Sequence, residues 1–160
     1  MRTTEQPREI WFVANRCRVI ASAAETGGRL TLLEVAGGHG SMPPLHIHRT
    51  DDEALHVIEG ELTAYVGDDV VRLGPGDTGF LPRDIPHTYR VESEGGRWIT
   101  VGAPGGLDRY FLAIGRPAGG DGLPPEPIAP DVRAAAELER ETGYRIELLG
   151  PPGALPSDLR

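Results

Sequence analysis

The residues with the clearest chemistry are two histidines and a glutamate in the stretch GSMPPLHIHRTDDEALHVIEG, residues 40–60. His46 and His48 are one residue apart, and because successive side chains of a β-strand alternate between faces, both point to the same side. The Asp51–Asp52 pair suits a turn, which would return Glu53 to the two imidazole rings. Two ring nitrogens and one carboxylate oxygen make up most of a divalent metal site.

Short apolar runs separated by turn residues surround this stretch. They cover residues 10–13, 16–20, 30–35, 54–58, 61–66, 70–73, 78–81, 88–91 and 97–102. Runs of this length with frequent turn signals predict a β-sandwich or a β-barrel. Asn15 and residues 24–29 suit turns, whereas Leu107–Ile114 is compatible with strand or helix because a short apolar run does not settle its own period.

The chain changes character after Gly115. Residues 116–130 contain five prolines and three glycines, which predicts an extended surface connector. Asp131 as N-cap and Gly143 after the last turn predict one helix, which would dock on the barrel flank or on a second subunit. A last strand over YRIELLG and a loose tail over PPGALPSDLR follow. We therefore expect one domain, with a β-rich body at residues 1–115, the connector at 116–130, and the helix and tail at 131–160.

Charge and cysteine content exclude several classes of function. The net charge of −8 and the pI near 5.1 argue against nucleic acid or an anionic membrane as the main partner. Cys17 is the single cysteine, so no intrachain disulfide can form and no oxidising compartment is needed. MRTTEQPREI has no apolar core of signal-peptide length, and no segment approaches the roughly 18 apolar residues of a membrane span. We expect a cytoplasmic protein whose partner is a small molecule or another protein.

The spacing in residues 40–60 resembles the first motif of the cupin family. That motif reads Gly, five residues, His-x-His, four residues, Glu, six residues, Gly. Gly40, His46, His48, Glu53 and Gly60 match it at every position.

A second segment resembles the second cupin motif, which reads Gly, five residues, Pro-x-Gly, two residues, His, three residues, Asn. Gly76, Pro82 and His87 match, whereas Asp84 replaces the motif glycine and Val91 the asparagine. Neither replaced position is a ligand in the motif, so the departures concern the geometry of the turn and leave the site itself intact.

The resemblance implies an all-β fold: a small double-stranded β-helix or jelly-roll barrel with one C-terminal helix. It also implies that His46, His48, Glu53 and His87 hold one divalent first-row transition metal. These ligands suit Ni, Fe, Mn, Co, Cu or Zn, so the metal's identity stays open, and four protein ligands leave one or two positions free on a six-coordinate ion. The alternative is a barrel whose site is empty or vestigial, since a lone strand histidine is more often a packed or surface residue.

The order of features most resembles bacterial single-domain quercetinase-like cupins. This implies a metal-dependent dioxygenase that inserts dioxygen into a flavonol-like or other enol substrate, with Glu53 as both ligand and catalytic base. The alternatives are a metal-dependent isomerase or cyclase on a sugar or polyketide-like enol, and a non-enzymatic small-molecule-binding barrel. The family resemblance also implies a homodimer, with residues 10–13, IWFV, at its interface.

We expect the other histidines to lie outside the metal site and the aromatic residues to serve mainly in packing. His56 has the opposite strand parity to Glu53, so it should face away from the site. His39 lies in a glycine-rich loop and should be solvated. Five aromatic residues are expected in the core first and in the pocket wall second: Phe12, Tyr65, Phe80, Trp98 and Phe111.

Overall fold

The computed structural model describes residues 8–160, so residues 1–7, on which most of the signal-peptide prediction rests, lie outside the described part. The first ten elements are β-strands: β1 Glu9–Phe12, β2 Asn15–Ala21, β3 Thr31–Gly38, β4 Pro44–His48, β5 Asp52–Glu59, β6 Leu62–Val66, β7 Asp69–Leu73, β8 Thr78–Leu81, β9 His87–Val91 and β10 Gly95–Ala103. The remaining elements are α1 Leu107–Ile114, β11 Arg116–Pro117, α2 Val132–Thr142, β12 Ile146–Pro152 and a 3-10 helix at Pro156–Leu159.

These strands form two antiparallel sheets that enclose one core. One sheet has the order β11-β1-β2-β3-β10-β5-β8, and the other has the order β12-β4-β9-β6-β7. Period-two burial explains the arrangement, since Leu33 and Val35 of β3 and Trp98 of β10 face inward and are almost fully buried. The architecture confirms the predicted all-β barrel with a C-terminal helix.

Two helices accompany the barrel. Leu107–Ile114, which the sequence left open between strand and helix, is helical because Leu107, Tyr110 and Ile114 bury one face at helical spacing. α2 follows the predicted caps, since the Asp131 carboxylate accepts hydrogen bonds from two backbone amides and Gly143 is left-handed at φ 75°. α2 packs against α1, which in turn contacts β1 and β3 of the barrel.

The C-terminal tail is more regular than the sequence indicated. β12 continues through Pro152 alongside β4, and the 3-10 helix that follows buries Pro156. The prediction of a loose tail is therefore wrong, because glycine and proline residues there follow the edge of a sheet. The connector is irregular as predicted, apart from β11, which pairs with Ile10 and Trp11 of β1, and a single bridge between Val13 and Ile128.

The N-terminal strand β1 packs into the core of its own chain. Asn15 does not form the predicted turn; it begins β2, fully buried, and donates from Nδ2 to the hydroxyl of Tyr89 at 3.1 Å. In the run predicted at a dimer interface, Ile10, Phe12 and Val13 are buried by the same chain. The homodimer stays a prediction. Residues 10–13 leave less apolar surface available for a dimer interface than the sequence suggests.

Two motif glycines differ in how tightly they are packed, which gives a matched stability test. Gly60 has φ 80°, and a Cβ there would lie 2.4 Å from the carbonyl oxygen of Gly95, whereas Gly40 has φ 75° and open space around it. We expect Gly40→Ala to cost about 1–2 kcal/mol from left-handed strain. Gly60→Ala should lose roughly 1–3 kcal/mol more through the clash. Urea unfolding followed by tryptophan fluorescence measures both, and equal losses would contradict the packing difference.

None of the helices in residues 8–160 has the length and apolarity to span a membrane.

Candidate metal centre

The four residues predicted as metal ligands lie together between the two sheets. His46 and His48 project from β4, His87 from the adjacent β9, and Glu53 from β5 of the opposite sheet. One ligand atom from each side chain lies within 4.8 Å of the others. His46 is the register partner of His87, so pairing between β4 and β9 sets two of the rings side by side. This geometry can hold a metal ion.

Each imidazole is oriented by a hydrogen bond at Nδ1. The Nδ1 atoms of His46 and His87 lie 2.6 Å and 2.9 Å from the carbonyl oxygens of Pro44 and Ile85. Because a carbonyl oxygen only accepts, Nδ1 carries the hydrogen in both rings and Nε2 is left with a free lone pair. A metal-binding histidine in proteins almost always donates its other ring N–H to such an acceptor.

One buried nitrogen of the cluster has no hydrogen-bond partner, and a bound cation would take that place. Nε2 of His87 is buried without a hydrogen-bond partner. Oε2 of Glu53 lies 3.4 Å from Nε2 of His48 and 3.4 Å from Nε2 of His87. Buried polar atoms without partners are costly, so these inward lone pairs fit a bound cation. Three imidazole nitrogens and one carboxylate oxygen suit a divalent first-row transition ion, of unknown identity.

The electrostatics of the cluster favour the metal-binding forms of Glu53 and His46, whereas a cation must displace a proton from His48 at acidic pH. Burial raises the pKa of Glu53, but the charge and hydrogen bonding of the neighbouring imidazoles outweigh burial and hold its pKa at about 2. Burial and the nearby His87 and His48 hold the pKa of His46 well below its usual value. Burial lowers the pKa of His48, yet Glu53 and Asp51 together raise it above the usual value. An ionised carboxylate and a neutral imidazole are the states that coordinate a cation.

Asp51 is a site residue that sequence reasoning missed. Its residue type suits a turn, whereas the structure buries it completely and places its Oδ1 2.9 Å from Nδ1 of His48. Its other oxygen accepts from the hydroxyl of Tyr144 at 3.0 Å. A carboxylate three residues after a ligand histidine was the one signal in the sequence that could have identified it.

A small apolar cavity lies over the cluster. His46, His48 and Glu53 line part of a cavity of about 50 Å³, and three hydroxyl-bearing side chains also belong to its wall: Tyr89, Thr100 and Tyr110. The rest of the wall is almost entirely apolar and includes Phe12, Val35, Leu107, Phe111 and Ile146. Such a wall excludes water and favours an apolar ligand.

The remaining predicted residues divide between wall, core and surface. Phe12 and Phe111 line the cavity and stack on each other at a centroid distance of 4.0 Å, whereas Trp98 is fully buried in the core. Tyr65 borders a separate surface cleft and Phe80 is exposed.

The two other histidines do not join the cluster. His56 lies on the face of β5 opposite to Glu53, with Nδ1 2.9 Å from the hydroxyl oxygen of Thr78, as its parity predicted. His39 is exposed, as predicted, and its Nδ1 lies 2.9 Å from the carbonyl oxygen of Glu92.

Comparison with known sequences identifies the barrel. The cupin-domain family model matches residues 31–102, which contain all four clustered residues. Quercetin 2,3-dioxygenase of Bacillus subtilis (strain 168) is 29% identical over 112 residues, which cover 70% of this chain and 33% of that protein. The chain thus spans about a third of the length of this curated relative.

Solved structures show the same fold at low sequence identity. An RmlC-like cupin from Shewanella frigidimarina NCIMB 400 has a TM-score of 0.56 and 22% identity, covering 68% of this chain and 94% of that one. KdgF from Halomonas sp. has a TM-score of 0.54 and 20% identity, with 60% and 84% covered. Ectoine synthase from P. lautus has a TM-score of 0.54 and 22% identity, with 63% and 72% covered. The family match, the two histidine motifs and the barrel fold together identify residues 31–102 as a cupin domain.

Proposed function

We propose that this cupin is a metal-dependent dioxygenase that inserts dioxygen into a flavonol-like or other enol substrate. The observation that carries the proposal is the cluster itself, in which inward imidazole nitrogens and an ionised carboxylate line one side of an apolar cavity. The likeness to the quercetin 2,3-dioxygenase of Bacillus subtilis supports the choice of reaction. Both atoms of dioxygen enter the product of such a reaction, so no further reductant is required.

In this proposal His46, His48, His87 and Glu53 hold one divalent transition ion. A divalent ion bound there would act as a Lewis acid that lowers the pKa of an enol hydroxyl. Glu53 lines the same cavity and would accept the proton of that hydroxyl at a carboxylate oxygen. The apolar wall around Phe12 and Phe111 would hold the substrate ring and keep water away from the reacting atoms.

The size of the cavity bears on the substrate. Its volume of about 50 Å³ is well below the roughly 300–1,000 Å³ of a pocket that encloses a drug-sized ligand. A second cavity of about 220 Å³ lies between α1, α2 and β12, and the two share Tyr110, Ile114, Pro130, Ile146 and Leu148 as wall. A compact enol ring would reach the cluster after modest side-chain movement, whereas a flavonol would need this shared wall to open.

An oxygen electrode tests the reaction directly. Protein prepared without metal would be loaded separately with Ni²⁺, Fe²⁺, Mn²⁺, Co²⁺, Cu²⁺ or Zn²⁺ and given flavonols and smaller ring enols under air. We expect oxygen consumption that depends on the metal and stops when a chelator removes it. The His56→Ala variant, altered on the opposite face of β5, should keep the activity. An absence of oxygen consumption with every metal and enol would contradict the proposal.

The same cluster would serve two other functions. A cation there would also polarise a carbonyl without dioxygen, which suits an isomerase or cyclase acting on a sugar or polyketide-like enol. Product formation under anaerobic conditions would favour that activity. Tight binding of an enol with no turnover under any condition would favour a non-enzymatic binding barrel.

A further inference from the structure

We propose that Asp51 and Tyr144 are positioning residues of the metal centre, which set its metal affinity by orienting His48. This inference rests on the metal site of the proposed function. Neither residue contacts the cavity over the cluster, so both would act through the imidazole of His48 alone.

The two residues form a buried chain of hydrogen bonds that ends at a metal ligand. Asp51 is fully buried and Tyr144 is 5% exposed. The Tyr144 hydroxyl donates to Oδ2 of Asp51 at 3.0 Å, and Oδ1 of Asp51 accepts from Nδ1 of His48 at 2.9 Å. Both carboxylate oxygens are therefore occupied by donors, and the carboxylate has little freedom to turn.

The surrounding backbone is shaped to admit this pair. A Cβ at Gly102, near the end of β10, would lie 2.8 Å from Oδ2 of Asp51. A Cβ at Gly106, before α1, would lie 2.3 Å from a ring carbon of Tyr144. Since real Cβ atoms do not approach other atoms so closely, any larger residue at either position would displace one member of the pair.

Two hydrogen bonds at Arg145 fix the segment that carries Tyr144 beside the turn that carries Asp51. The amide of Arg145 donates to the hydroxyl oxygen of Thr50 at 2.7 Å, and the amide of Arg49 donates to the carbonyl oxygen of Arg145 at 3.0 Å. The backbone next to Tyr144 is thus tied to the residues that precede Asp51.

His48 differs from the other two imidazoles in the charge of its acceptor. Nδ1 of His46 and Nδ1 of His87 face neutral carbonyl oxygens, whereas Nδ1 of His48 faces a carboxylate. A carboxylate fixes the tautomer as a carbonyl does, and in addition makes the opposite nitrogen a stronger donor to a cation. His48 would therefore be the strongest of the three nitrogen ligands.

Tyr144 comes from a different part of the chain than the four clustered residues. Tyr144 lies outside residues 31–102, the part matched as a cupin domain, and follows α2 directly. The C-terminal segment thus completes the surroundings of a centre whose direct ligands all lie within the matched domain.

The test is Co²⁺ affinity, measured by chelator competition on purified full-length protein, together with the Co²⁺ absorption spectrum. We expect Asp51→Asn to bind Co²⁺ about 10–100-fold more weakly and to shift the absorption bands. Tyr144→Phe keeps the ring and removes one hydrogen bond to the carboxylate, so a smaller loss of roughly 3–10-fold is expected. If Asp51→Asn does not fold, Tyr144→Phe still tests the proposal.

Two matched controls separate positioning from a general loss of stability. Asp108 is also a buried carboxylate, but it accepts from Thr31 and the amide of Ala23 and from no ligand imidazole, so Asp108→Asn should leave Co²⁺ affinity unchanged. Tyr65→Phe is the control for Tyr144→Phe, because it also loses a tyrosine hydroxyl, and it should leave Co²⁺ affinity unchanged.

Wild-type affinity in both Asp51→Asn and Tyr144→Phe, or an equal loss in Asp108→Asn, would overturn the proposal. Wild-type protein that binds no Co²⁺ would overturn the metal site as well. Normal binding by wild type and by both variants would overturn this inference alone.

Discussion

Purified His46→Ala protein is expected to bind metal at least about a hundredfold more weakly than wild type, because residues that merely orient a ligand are already worth roughly 10–100-fold. His46 is the most informative of the three histidines to replace. His48 and His87 are fully buried, whereas His46 is partly exposed, so its loss should disturb the core least. Elemental analysis of the purified protein and a metal titration measure the effect.

The control for this substitution is His56→Ala. His56 is a half-buried histidine on the face of β5 that points away from the cluster, with its Nδ1 beside Thr78. Its replacement should leave metal content unchanged. Full occupancy in His46→Ala would show that His46 is not a ligand, and metal loss in both variants would indicate a general effect on the fold.

The second large effect is expected at Glu53. Glu53→Gln keeps the shape of the side chain and removes the charge, so the barrel should remain folded while oxygen consumption falls by about 100-fold or more. Circular dichroism checks the fold, and the oxygen electrode measures the loss. Unchanged oxygen consumption would exclude Glu53 as the base.

Metal content of the same variant separates the two roles assigned to Glu53. Loss of metal together with activity would indicate a ligand, whereas retained metal with lost activity would indicate a base. A base works best when its pKa lies near the operating pH, yet the neighbouring imidazoles hold the pKa of Glu53 at about 2 despite its burial. A low pKa keeps Glu53 ionised, which is the form that can hold a cation, and the metal content of the variant decides whether Glu53 is also the base.

Part of the cluster was predictable because the placement of His46 and His48 depends on a short-range rule. Strand alternation alone places His46 and His48 on one face and sends His56 away from Glu53. His87 needed the spacing of a second motif, since no local rule relates β9 to β4. The whole cluster was thus identified from sequence, although only the structure shows which nitrogen of each ring faces inward.

The surroundings of the cluster were not predictable from local patterns. The contact between Tyr144 and Asp51 joins residues 93 positions apart, and neither residue belongs to a recognisable motif. Asn15 suited a turn by its residue type, but a buried partner 74 positions away, Tyr89, holds it in a strand. Tertiary packing decided both cases, as it decided that Leu107–Ile114 is helical.

The most direct test of the central claim is a metal titration of wild-type protein prepared without metal. The four-residue cluster predicts one divalent transition ion per chain, bound tightly in wild type and weakly in His46→Ala. Wild-type protein that binds no such ion, or that binds one equally well after His46 is replaced, would contradict the account.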